Sequence, residues 1–250
     1  MEITLLTYLI VCPLTFLAGF VDAIAGGGGL ISLPAYMFAG VPVHNAIATN
    51  KLSSATGTAV STWHLVKSRC VDLFLVPVAC AFVGSIAGAN LALIISDKVL
   101  KTVLVFVLPV VAFCVLRDKN LKPVIPEGFT RKKQYLIMAA CSFVIGIYDG
   151  FYGPGTGTFL LLTFTKLGKL DMEKATGNVK VVNLTSNISA LITFVLAGKI
   201  LWVLGLSASI FSIAGHYLGA HMVVKNGVKV IKPIILLVLV LLMIKIILGI

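Results

Sequence analysis

The stretch Gly19-Phe20-Val21-Asp22-Ala23-Ile24-Ala25-Gly26-Gly27-Gly28-Gly29 sets an aspartate at the close of an apolar run and follows it with four glycines. Glycine costs about 1 kcal/mol relative to alanine inside a helix, so four in succession cost roughly 4 kcal/mol. The spacing predicts an apolar helix that ends at Asp22, a break starting at Gly26, and a short second piece from Leu30 to about Ala39. What such a break means depends on the solvent around it, and the rest of the chain supplies that.

Of the 250 residues, 59% are hydrophobic and only 12% are charged, against about 25% charged in a soluble domain. The apolar residues fall in long uncharged runs: Ile3 to Val21, Leu73 to Ser96, Gly150 to Thr165, Val181 to Gly198 and Ile200 to Val224. About 20 apolar residues cross the hydrocarbon core as a helix. The chain therefore reads as an all-α, polytopic membrane protein with no room for a soluble domain. The first run lacks a basic leader and a small-residue cleavage pattern, so it reads as a span rather than a removed signal.

The five cysteines (Cys12, Cys70, Cys80, Cys114, Cys141) show no metal or redox spacing, so neither a metal nor a cofactor is expected. The net charge of +11 sits in short connections, where orientation and anionic lipid explain it better than nucleic acid. The densest basic cluster, Arg117 to Lys133, divides the chain into 1–116 and 134–250, with 117–133 a linker that the positive-inside rule puts in the cytoplasm.

The two parts resemble each other. Gly19, Asp22, Gly26 and Gly28 align with Gly146, Asp149, Gly153 and Gly155 at a constant offset of 127, which persists to Ala48-Thr49 against Ala175-Thr176. One inserted residue, Gly177, then brings Asn50 onto Asn178. Later, at an offset of 131, Gly84 and Gly88 meet Gly215 and Gly219. A duplicated chain with glycine-interrupted segments in matching places points to a transporter's binding site.

Inside a membrane a helix break is tolerated only where it is buried in protein or lines a watery cavity. Its free N–H groups and helix dipole suit an anion. The candidate binding residues are therefore Gly26, Gly27, Gly28 and Gly29 with Gly155, Thr156 and Gly157. To these are added the polar stripes of two following helices: Thr49, Asn50, Lys51 and Ser54 (continuing to Thr58 and Ser61), and Thr176, Asn178, Lys180 and Asn183 (continuing to Asn187). Gly84/Gly88 and Gly215/Gly219 read as helix-packing positions. Lys51 and Lys180 need a partner or an anionic ligand at membrane depth. Asp22 and Asp149 each cost about 3 kcal/mol at a helix centre. Three readings stay open for them: ion pairs with the lysines, proton-coupled gating, or an interfacial position. His216 and His221, in an otherwise apolar run, are candidates to face the pathway, and five apart they do not make a metal site. His44, His64 and Trp63 read as interfacial, and Asp97 and Lys98 as loop charges.

These residues also carry a family resemblance. The segment from Gly19 to Thr58, with its Asp-x-x-x-Gly-Gly-Gly-Gly-x-Ile and Ala-Thr-Asn-Lys, resembles the first repeat of the sulfite exporter TauE/SafE family, also called 4-toluene sulfonate uptake permeases. The stretch from Gly146 to Asn187 resembles the second repeat, with Pro154 where Gly27 stands. The resemblance implies a bacterial inner-membrane carrier of about eight helical segments. It implies sulfite, another sulfur oxyanion or an organosulfonate as substrate, and it favours export. The reading that follows is alternating access between the halves, with H+ or Na+ as the candidate coupling ion and a homodimer as the candidate assembly. Two alternatives from other classes are an intramembrane aspartyl protease using Asp22 and Asp149, and an anion channel. All three arginines fall outside the expected core, so no guanidinium clamp on the anion is expected.

Overall fold

The computed structural model describes residues 3–68, 71, 75–100, 102 and 128–226. Eight helices stand out among them: α1 (Leu5–Ala25), α2 (Gly29–Phe38), α3 (Val43–Lys67), α4 (Leu75–Ile94), α5 (Arg131–Phe151), α6 (Thr156–Lys166), α7 (Met172–Leu196) and α8 (Trp202–Asn226). The described residues contain no strand. The acidic and basic residues from Arg117 to Glu127, together with Cys70 and Cys114, lie outside the described residues.

Five helices, α1, α4, α5, α7 and α8, are long and apolar enough to cross a membrane. α3 is as long as α7, 25 residues, but its polar stripe lowers its hydropathy. It is nonetheless well enclosed, with Ala46 to Ser53 all buried. α2 and α6 have 10 and 11 residues, about 15 Å at 1.5 Å per residue, which is half the hydrocarbon core. The eight described helices are thus not eight crossings.

The packing makes the two short helices returning arms of hairpins. α1 lies parallel to α8, with Gly19 against Ser212 and His216 and Gly219 against Phe20 and Ala23. α4 lies parallel to α5 in the same manner, with Gly146 against Ala81 and Gly150 against Ser85. Here the small residues bring two backbones into contact; a Cβ at Gly88, Gly150 or Gly215 would overlap a carbonyl of the neighbouring helix. α3 also runs parallel to α8, tied by Asn45 Nδ2 to the Lys199 carbonyl (2.8 Å) and by the Leu201 N–H to Thr49 Oγ1 (3.1 Å). α7 runs antiparallel to α3, since Lys51 meets Asn187 while Thr62 meets the Lys180 carbonyl.

Gln134 at the start of α5 bonds the Gly168 carbonyl beyond α6, so α6 returns to the end from which α5 set out. At the opposite end, His44 of α3 ties to Asp97 and to the Ala92 carbonyl of α4, which makes His44 and Asp97 a structural tie rather than solvated charges. The α1–α2 and α5–α6 hairpins therefore enter from opposite ends. Their tips meet: Gly26 lies directly on Gly157, and Gly29 on Pro154.

α1 and α5 do not stop at their aspartates. α1 runs on to Ala25 and closes with Gly26 at φ 75°, the left-handed cap that only glycine takes easily. α5 continues to Phe151. Each carboxylate consequently projects from a last helical turn into the gap between its two arms.

Candidate functional site

At the meeting tips lies a cavity of about 20 Å³, room for a single water. Asp22, Gly26 and Gly29 of the first hairpin line it, with Asp149, Gly153, Thr156 and Gly157 of the second. α3 adds Asn50, Ser54 and Thr58; α7 adds Asn183 and Asn187. A second cavity of similar size adjoins it, lined by Thr15, Gly28, Ser32, Ser212 and His216 and sharing Asp22, Gly29 and Ser54.

The two lysines cross between halves. Lys180 Nζ of α7 lies 2.8 Å from Asp22 Oδ2 and also donates to the Asp22 carbonyl. Lys51 Nζ of α3 lies 2.8 Å from Asp149 Oδ2 and 3.1 Å from Asn187 Oδ1. Both lysines are 2% exposed, so each charge depends on its partner. The helix ends add to this. Each ammonium sits at the C-terminal, negative end of the other half's broken helix, and each carboxylate sits at the N-terminal, positive end of a short helix. Asp22 Oδ1 accepts the Gly28 N–H at the start of α2 (3.2 Å), and Asp149 Oδ1 accepts the Thr156 hydroxyl at the start of α6 (2.8 Å).

Beyond this shared plan the halves differ. The remaining partner of Asp149 is the Ser186 hydroxyl, 2.7 Å from Oδ2. That of Asp22 is His216, whose Nε2 lies 3.2 Å from Oδ2 and 3.5 Å from Thr58 Oγ1. On the polar wall Asn50 Oδ1 is buried with no partner among the described residues.

Some expected residues are elsewhere. Thr49 Oγ1 holds the start of α8. Thr176 donates to the Met172 carbonyl and Asn178 to the Lys174 carbonyl, both along their own helix. Gly27 and Gly155 contribute backbone to the turns and not to the cavity wall, and Gly28 lines the adjoining cavity. The alignment of Asn50 with Asn178 is therefore corrected. α3 and α7 are both unbroken 25-residue helices starting at Val43 and Met172, an offset of 129. That register matches Lys51 with Lys180, Ser54 with Asn183 and Thr58 with Asn187. An unbroken helix has no place for a single inserted residue, so the extra length is taken up in the connection before α7. Ser186 was absent from the sequence reading, although it follows Asn183 by three positions on the same face.

The protease alternative finds no support here. An aspartyl dyad shares a proton between two touching carboxylates, whereas each of these carboxylates is held by its own lysine. Among the described residues no group of three or more metal-ligating side chains occurs.

The family model described as "Sulfite exporter TauE/SafE" matches residues 11–246. The chain belongs to the sulfite exporter TauE/SafE family. Within it, the chain is 37% identical over 229 residues to the "Probable membrane transporter protein YfcA" of Escherichia coli (strain K12), covering 89% of this chain and 82% of the relative. It is 35% identical over 236 residues to the "Probable membrane transporter protein ORF9" of Sinorhizobium sp, covering 94% and 89%. A "Probable membrane transporter protein" of Haemophilus influenzae is 35% identical over 226 residues, covering 89% and 87%. No solved structure matches the chain. This family member is thus a multi-pass membrane transporter, and the paired hairpin tips are its candidate site.

Proposed function

We propose that this transporter carries a small sulfur oxyanion or organosulfonate across a bacterial inner membrane, through the cavity where the two hairpin tips meet. The observation that carries this reading is the chemistry gathered at the cavity: hydroxyls and amides of Asn50, Ser54, Thr58, Thr156, Asn183 and Asn187 and the starts of two short helices line it, and two buried lysines stand behind its aspartates. These are donors for the oxygens of an anion. The aspartates hold the lysines and the helix starts until an anion competes for them. The absence of a guanidinium clamp favours modest affinity and hence release. The family's description supports sulfite among the candidates and export as the direction.

A cavity the size of one water must open before a solute of four or more heavy atoms enters. Hairpins entering from opposite ends suit alternating access, since each half can move against the other about a fixed central site. Lys67, Arg131, Lys132, Lys133, Lys166, Lys169, Lys174 and Lys225 lie at the end where α5 begins, with Asp171 and Glu173. Lys98 and Lys199 lie at the other end, with Asp97. By the positive-inside rule the α5 end is cytoplasmic. The α1–α2 hairpin then enters from outside, and the linker 117–133 leads into α5 at the cytoplasmic face.

The test is uptake into liposomes of labelled sulfite, sulfate, thiosulfate and methanesulfonate by the purified protein. Saturable counterflow of one of them, lost on replacing Lys51 and Lys180 together, supports the reading. No flux above empty vesicles for any of the four defeats it. Ion currents without counterflow would favour a channel instead.

A further inference from the structure

Two lysines and two aspartates meet at the hairpin tips, and their charges sum to zero. A monoanion bound among them leaves one negative charge uncompensated at membrane depth, which is costly. His216 is placed to supply the missing positive charge, and its hydrogen bonds show how.

His216 Nδ1 faces the Ser212 carbonyl at 2.9 Å, with the Ser212 hydroxyl at 3.3 Å. Nε2 faces Asp22 Oδ2 at 3.2 Å, a contact that a proton on Nε2 makes a hydrogen bond. Nδ1 accepts from the Ser212 hydroxyl when bare and donates to the Ser212 carbonyl when protonated, so both ring nitrogens keep a partner in the neutral and in the cationic imidazole. The contacts therefore accommodate one further proton without rearrangement.

The surroundings add few other charges. α1 contributes Asp22 and α7 contributes Lys180, bonded to the same carboxylate oxygen. α3 presents Thr58, and α2 presents Ser32 and the Gly28 N–H across the adjoining cavity. On α8 itself, His221 packs near His64 of α3 rather than at Asp22. The site at Asp149 lacks the device. At the offset of 131, His216 matches Ser85, whose hydroxyl donates to the Ser186 carbonyl (2.6 Å).

Resting on the anion-transport reading above, we propose that His216 with Asp22 binds the co-transported proton, so that a monoanion and one proton cross together without net charge. The proton is taken from water on the side from which the anion enters. The N–H or O–H bond that forms there breaks to water on the opposite side, and no other reactant is needed.

Methanesulfonate is the probe, because it stays a monoanion throughout the pH range of histidine titration, roughly 5 to 8. Proteoliposomes of wild type and His216→Gln are given an acid-outside pH gradient or, separately, a potassium–valinomycin potential. The wild type should accumulate methanesulfonate with the pH gradient and respond little to the potential. His216→Gln should exchange more slowly, lose accumulation by the pH gradient, and become sensitive to the potential. Because that variant is at risk of misfolding, His216 is also followed in the wild type by nitrogen-15 histidine NMR in nanodiscs, with Asp22→Asn in parallel. Its signal should titrate and move in the variant. Persistent pH-driven accumulation in His216→Gln, potential-driven transport in the wild type, or no titration at the His216–Asp22 pair overturns the proposal. A wild type that moves neither methanesulfonate nor sulfite overturns the transport reading, and the coupling role falls with it.

Discussion

Asp22 and Asp149 occupy matching places in the two halves, yet they are held by different means. Asp149 is 2% exposed and ringed by the Lys51 ammonium and the hydroxyls of Thr156 and Ser186. Asp22 is 9% exposed, lies beside a second cavity, and has an imidazole where Asp149 has a serine. The same local problem has two solutions: a lysine pair completed by a serine hydroxyl at Asp149, and one completed by an imidazole at Asp22.

The largest effect should come from breaking the pairs. Removing one partner of a buried ion pair costs about 3–5 kcal/mol because the other charge is left uncompensated. Asp149→Asn should approach that loss and exceed Asp22→Asn, since Asp149 is the more deeply buried and Asp22 borders a second cavity that can admit water to its lysine. Thermal unfolding in detergent compares them. Equal losses would erase the distinction between the halves, and the double variant Asp149→Asn with Lys51→Met should recover much of the stability.

Next in size is the contact between the tips. A Cβ at Gly157 would lie 2.5 Å from the Gly26 Cα, so Gly157→Ala should cost about 1–3 kcal/mol by overpacking. Gly26→Ala adds the strain of a left-handed backbone to a similar clash. Gly27→Ala, whose nearest neighbour would be 3.7 Å away, should unfold and transport like wild type. Insensitivity of all three would mean that the tips do not meet in the membrane.

Lys51→Ala and Lys180→Ala should each reduce counterflow well below Lys67→Ala, because Lys67 closes α3 at a surface end. A ranking of Lys67 with the other two would remove the lysines from the site. The smallest effect concerns the register. Asn183→Ala should weaken flux more than Asn178→Ala, which only loses a bond to its own helix at a cost of about 1 kcal/mol. The reverse order would reinstate Asn178 as the counterpart of Asn50.

Much of this was legible in the chain itself. Uncharged runs of membrane length require helices, because lipid offers the backbone no other partner. The glycine run after Asp22 marks a break through local backbone cost, and its recurrence after Asp149 marks a second one. Polar residues at helical spacing mark the sides of α3 and α7 that avoid lipid. Less legible were the details that depend on where a helix starts. The connection before α7 absorbs the extra residues, so Asn178 and Thr176 turn toward their own helix while Asn183 and Asn187 turn to the cavity. Adjacent identical letters misled there, because helical phase and not local identity decides which face a side chain joins.

Composition and local conformational preference are properties of short segments, so the sequence by itself determined the membrane helices, the two breaks and the cost of leaving Asp22, Asp149, Lys51 and Lys180 alone in lipid. Tertiary structure alone decided who relieves that cost. The lysines' partners lie 98 and 158 positions away on the other half, brought near only because hairpins from opposite ends meet at Gly26 and Gly157. His216 reaches Asp22 only because Gly215 and Gly219 let α8 lie against α1 and set its rotation. Such pairings arise from packing between distant segments, and no local preference encodes them.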